Sequence, residues 1–132
     1  MESYGYDSRF EFSPERIDSS PIFLAFQNVC RDWKLDDSEA TTLLGLETQI
    51  EYRFIRSGIT GLGISKLDKL ERIRMIFNIQ VGLYEKFENN GEKQKNWLRA
   101  ERKELGGKSP LEYMLQGGIA HLFTVESLSR FH

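Results

Sequence analysis

Cysteine is almost missing from this chain. Cys30 stands alone among 132 residues, so no internal disulfide can close, and a reducing compartment suits the protein. Histidine is nearly as scarce: His121 and His132 lie eleven residues apart, and with one cysteine they give no zinc-ligand spacing. Excess charge of either sign is lacking too. The formal net charge is −2, so no global field draws the chain toward nucleic acid, and any such binding must come from a local patch. Apolar runs span only a few residues, far short of the ~20 needed to cross a bilayer. After Met1 come Glu, Ser, Tyr, Gly, Tyr and Asp, with neither the basic start nor the apolar stretch of a leader peptide. A soluble, cytoplasmic protein with no membrane association is expected.

Signatures of catalysis are equally thin. No Gly-x-Ser-x-Gly elbow, no Ser/His/Asp set and no dinucleotide fingerprint occurs. Gly107-Lys108-Ser109 has the ending of a phosphate loop, but Arg102 stands where that motif needs its first glycine, and Pro110 follows. The acidic residues sit at helix starts and on polar faces, where charge is solvated. The expectation is a protein that is not an enzyme, with no catalytic residue, metal or cofactor.

What the chain has in quantity is helical periodicity. Residues 1–19 scatter Tyr4, Tyr6, Phe10 and Phe12 among charges without a period and read as a poorly ordered arm. Ser20-Pro21 then offers a helix start, and Ile22, Phe23, Phe26, Val29, Cys30 and Trp33 form one apolar stripe. Cys30 lies on that stripe and reads as an inert buried thiol. Asp36 with Glu39 makes a capping box. Ala40, Leu43 and Leu44 give the next helix its buried face, and Gly45 is placed to end it. A further helix runs from about Thr48 to Ser57 and stops at Gly58. Its inward residues are read as Ile50, Phe54 and Ile55, and its outward face as Gln49, Tyr52, Arg53 and Arg56. Short helix, glycine turn, short helix is the outline of a helix-turn-helix.

Gly58, Gly61 and Gly63 separate this region, residues 20–64, from a second, residues 65–132. Leu67, Leu70, Ile73, Ile76, Phe77, Leu83, Tyr84 and Phe87 predict a long helix, which Asn78 and Gly82 are expected to kink or divide. Asn89-Asn90-Gly91 is a turn, and a helix from about Glu92 to Arg99 carries Trp97 and Leu98. Then comes "LGGKSPLEYMLQGG", residues 105–118: two glycine pairs around a helix that Ser109, Pro110 and Glu112 start sharply. A last helix has Ile119, Leu122, Phe123, Val125 and Leu128 apolar. No window alternates as a strand does. The expected fold is all-α, a compact multi-helix domain.

Those two parts together resemble the Xre/MbcA/ParS-type antitoxins, whose toxin partners have the RES fold. The resemblance covers roughly residues 23–132. Its first part is the Xre-like helix-turn-helix in "WKLDDSEATTLLGLETQIEYRFIRSG". Its second and more specific part is the C-terminal toxin-binding domain: "LERIRMIFNIQVGLYEKF", a tryptophan in "KNWLRAE", then "LGGKSPLEYMLQGGIAHLFTVESLSR". The resemblance implies a bacterial type II antitoxin that neutralises a nicotinamide-dinucleotide-depleting RES toxin by covering its active site. It also implies a homodimer within the toxin–antitoxin complex, and repression of its own operon by binding operator DNA. Thr48, Gln49, Tyr52, Arg53 and Arg56 would then face DNA. Trp97, Gly106, Gly107, Lys108, Ser109, Pro110, Leu111, Tyr113, Met114 and Arg130 would form the toxin-binding patch, with Leu122 and Phe123 as further candidate anchors. Trp97 and Leu122 are read as core before anchor. Glu47 stands where the family often has a capping serine, and Phe54 where it often has tryptophan. Glu47 and Glu51 also put negative charge on the face that would meet phosphate. The alternative from another class is a stand-alone helix-turn-helix regulator whose C-terminal helices only dimerise.

Overall fold

A computed structural model describes residues 20–58, 60 and 67–131; the expected N-terminal arm and the Gly61 and Gly63 breaks lie outside these. Among the described residues the chain is all helical: α1 (Ser20–Trp33), α2 (Asp37–Leu44), α3 (Gln49–Arg56), α4 (Leu67–Phe87), α5 (Gly91–Arg99), α6 (Pro110–Met114) and α7 (Ile119–Phe131), with a 3₁₀ turn at Lys103–Leu105. None of these helices is long and apolar enough to cross a membrane.

Helix starts follow local chemistry closely. Asp36 caps α2 while Glu39 reaches back to its amide, and Thr48 with Glu51 does the same for α3. Asn90 caps α5. Ser20, expected as the cap of α1, is already its first helical residue. Gly45 ends α2 with φ +75°, its amide donating back to the carbonyls of Thr41 and Thr42.

The helices of both halves share one hydrophobic core. Phe26, Val29 and Trp33 of α1 and Leu43 and Leu44 of α2 meet Ile76, Ile79 and Leu83 of α4. Leu98 of α5, Met114 of α6 and Leu122 and Val125 of α7 complete the cluster. Helix α5 is also tied to the end of α1: the Arg99 guanidinium donates to the carbonyls of Trp33 at 2.8 Å and Lys34 at 3.1 Å. A cation there satisfies carbonyls that the helix leaves open and complements its dipole.

The expected division of α4 does not occur. It runs unbroken for 21 residues, and Asn78 and Gly82 serve its packing on α7. Asn78 donates to the Glu126 carboxylate at 2.6 Å. A Cβ on Gly82 would lie 2.9 Å from the Ser129 carbonyl oxygen, so only glycine allows this approach. Asn78 meets Glu126 and Gly82 meets Ser129, so the two helices run in the same sense. Glu126 is buried, and Arg130 at 3.1 Å and Arg74 at 3.8 Å supply the charge it needs there. Tertiary contact overrides weak helix propensity at both positions. Tyr84, counted in the apolar period of α4, and Phe123, a candidate anchor, are 55% and 57% exposed.

Cys30 is buried in the core, as expected. Burial, with help from Asp37 and Glu39, pushes its thiol from the ordinary value of 9.0 to about 12. Since the raised value favours the neutral thiol when folded, its contribution to stability is complete below pH 9 and fades as pH climbs toward 12. At pH 8 a disulfide reagent should modify Cys30 at least ~100-fold more slowly in the native protein than in urea. Equal rates would place the thiol at the surface.

Candidate partner-binding site

The segment between α5 and α6 is a closed loop. The Arg102 amide donates to the Lys108 carbonyl at 3.1 Å, and the Gly107 amide donates back to the Arg102 carbonyl at 3.0 Å. Inside this clasp the Leu105 and Gly106 amides bond to the carbonyls of Arg102 and Lys103. Such a turn needs left-handed backbone at its tip, and Gly106 and Gly107 supply it with φ of +69° and +88°. Leu105 is buried, while Gly106, Gly107 and Lys108 are exposed.

The start of α6 fixes the loop to the core. The Ser109 hydroxyl accepts from the Glu112 amide at 3.1 Å, and the Glu112 carboxylate accepts from the Ser109 amide at 2.9 Å. Pro110 takes the first turn of α6. Pro110, Leu111 and Met114 are buried, and the Arg102 guanidinium lies 5.5 Å from the centre of the Trp97 ring. At the far end Gly117 (φ +94°) turns the chain into α7. There the Gly118 amide donates to His121 Nδ1 at 3.2 Å, and the His121 ring meets Tyr113 edge-on at 4.9 Å.

The sequence-expected patch therefore splits in two. Gly106, Gly107 and Lys108 are presented at the surface. Trp97 and Leu122 are buried, in keeping with their reading as core before anchor, and Ser109, Pro110, Leu111 and Met114 are buried with them, so Met114, expected as an anchor, and Leu111, placed in the patch, are not presented to a partner. They bury their surface on folding and have none left to bury on binding. Tyr113 is half-buried against His121. Arg130 is exposed but bonded to Glu126 on α7, away from the loop in sequence and partner.

Helix α3 is rotated from its expected phase. Tyr52, expected to face outward, is 3% exposed, with its ring 5.6 Å from that of Phe23. Burial raises its hydroxyl above the ordinary value. Ile50 and Phe54, expected inward, are the exposed residues, at 57% and 43%. Thr48, Gln49, Arg53 and Arg56 remain at the surface. Thr48 is spent as the cap, however, and both arginines turn to Asp37 of α2, Arg56 at 2.9 Å and Arg53 at 3.8 Å. The outer face of α3 thus mixes two large apolar side chains with cations already partly matched.

Sequence reasoning missed Val81, which is 54% exposed beside Tyr84. The signal was present: α4 has more apolar residues than one buried stripe can use. Among the described residues no group of three or more His, Cys, Asp or Glu side chains could hold a metal ion. No protein-family model matches the chain, and no curated protein matches it either.

Proposed function

We propose that this protein is the antitoxin of a type II toxin–antitoxin pair, and that it binds and neutralises a RES-fold toxin by direct complexation. The observation that carries this reading is the clasped loop from Arg102 to Lys108, which offers Gly106, Gly107 and Lys108 on a support of buried side chains. Inhibition by occlusion calls for this kind of part. A loop already held in its bound shape loses little entropy on docking, so more of the contact energy appears as affinity. Two adjacent glycines let a partner's surface approach the backbone closely, and Lys108 adds a cation that suits an acidic pocket rim.

Operator binding is the second half of the proposal. It falls to the outer face of α3, where Arg53 and Arg56 would leave Asp37 for phosphate. Ion pairs this exposed are weak, so the exchange costs little.

The test is co-expression with a RES-type protein encoded beside this chain, followed by purification through a tag on the toxin. Co-elution with restored growth is expected. A toxin that neither binds the chain nor is restrained by it would leave the stand-alone regulator as the better account. On DNA, Arg53→Ala with Arg56→Ala should abolish the mobility shift of the chain's own promoter. If the wild-type protein gives no shift with or without toxin, the DNA half is wrong.

A further inference from the structure

With Tyr52 turned to the core, Ile50 and Phe54 stand one helical turn apart on the opposite face of α3. Two large apolar side chains there gain nothing from phosphate, and they gain stability from any apolar cover. The charges of this face divide along the helix. Glu47 and Glu51 lie at its start, where the Glu51 carboxylate is turned back onto the amides of Glu47 and Thr48. Around Phe54, Arg53 and Arg56 both lean on the one carboxylate of Asp37. Two cations on one anion leave an excess of positive charge at that end.

Nineteen residues precede Ser20, and they hold Tyr4, Tyr6, Phe10 and Phe12 with five acidic residues and two arginines. They enter the described fold beside α3, because Phe23, in the first turn of α1, has its ring 5.6 Å from that of Tyr52. Phe12 lies eight residues before Ser20, a reach of up to ~26 Å against a helix diameter of ~10 Å.

We propose that residues 1–19 fold back over the outer face of α3, with Phe10 and Phe12 covering Ile50 and Phe54. Position selects this occupant. A segment tethered so near meets the face at an effective concentration on the order of millimolar. The exposed pair Val81 and Tyr84 is farther off: Gln80 lies against Asp32 near the end of α1, roughly 18 Å along that helix from its start. The segment's surplus of acid also suits the excess positive charge around Phe54. Operator DNA and the chain's own first residues then compete for α3. That consequence rests on the DNA half of the reading above, whereas the docking itself does not.

The test uses the full chain and neither DNA nor toxin. Cys30 is buried, so Ser8→Cys takes a nitroxide label selectively. Amide signals of Ile50, Arg53 and Phe54 should lose most of their intensity to the label, and those of Val81, Tyr84 and Phe123 should keep theirs. Phe10→Ser with Phe12→Ser in the labelled chain should restore the lost signals, and neither change touches the described core. The proposal is overturned if α3 keeps its signals, if the loss centres on Val81 and Tyr84, or if the double variant changes nothing. It is also overturned if the loss appears only between labelled and unlabelled copies, since the segment then covers another molecule. With docking shown, Phe10→Ser with Phe12→Ser should bind operator roughly tenfold more tightly. Signal loss on α3 without operator binding by either protein supports the docking and refutes the DNA half alone.

Discussion

Replacing Gly82 with leucine should lower the unfolding free energy by about 3 kcal/mol, a large share of what a single domain possesses. The nearest atom to the new Cβ would be the Ser129 carbonyl oxygen at 2.9 Å, part of the α7 backbone. A side chain can rotate away from such a contact, but the backbone of a helix packed on the core cannot do so without moving the helix. Helix α7 would have to lift, loosening Leu122 and Val125 from the core and opening the Asn78–Glu126 bond. In urea the midpoint should fall by roughly 1–2 M. Trimming Ser129 to alanine should not rescue it, because the obstacle is the carbonyl. An unchanged midpoint would show that α4 and α7 are not packed this closely.

Gly107→Val works by a different route. Nothing lies within 4 Å of a Cβ built on Gly107, so there is no clash to relieve. The obstacle is φ of +88°, which a β-branched residue tolerates poorly. The chain should abandon the turn and give up the bond from the Gly107 amide to the Arg102 carbonyl. The helical core should survive, with stability lowered by only about 1–2 kcal/mol. Toxin affinity should fall by roughly a hundredfold, because the loop would pay its ordering cost on binding. Gly107→Ala should fall between the two, and Lys108→Ala should weaken binding without altering the loop. Toxin neutralisation by Gly107→Val at wild-type strength would remove the loop from the proposed interface.

These two glycines mark different depths of legibility. Gly107 could be singled out from its neighbours, since a glycine pair before Ser-Pro-Leu-Glu announces a turn and a capped helix within ten residues of sequence. The capping boxes at Asp36, Thr48 and Ser109 are local in the same way, although the one at Thr48 was not foreseen. Gly82 is the opposite case. Helix propensity alone made it a weak point, and its real role depends on Ser129, 47 residues later in the chain. Helix α3 shows the same limit at short range. Ile50, Tyr52, Phe54 and Ile55 are distributed so that more than one rotation of a two-turn helix buries some of them. Phe23 on α1 decides the matter by taking the Tyr52 ring.

The sequence by itself determined that this protein is helical, where most of its helices begin and end, and which stripe of α1 is buried. Those features depend on hydrogen bonds and periodicities spanning three to five residues. The tertiary structure alone decided that α3 turns Tyr52 inward, that Met114 lies in the core instead of facing a partner, and that Asn78 and Gly82 join α4 to α7. It also decided that Val81 and Tyr84 face outward. In each case the energy comes from surfaces far apart in the chain, and short-range patterns hold no record of which surfaces will meet.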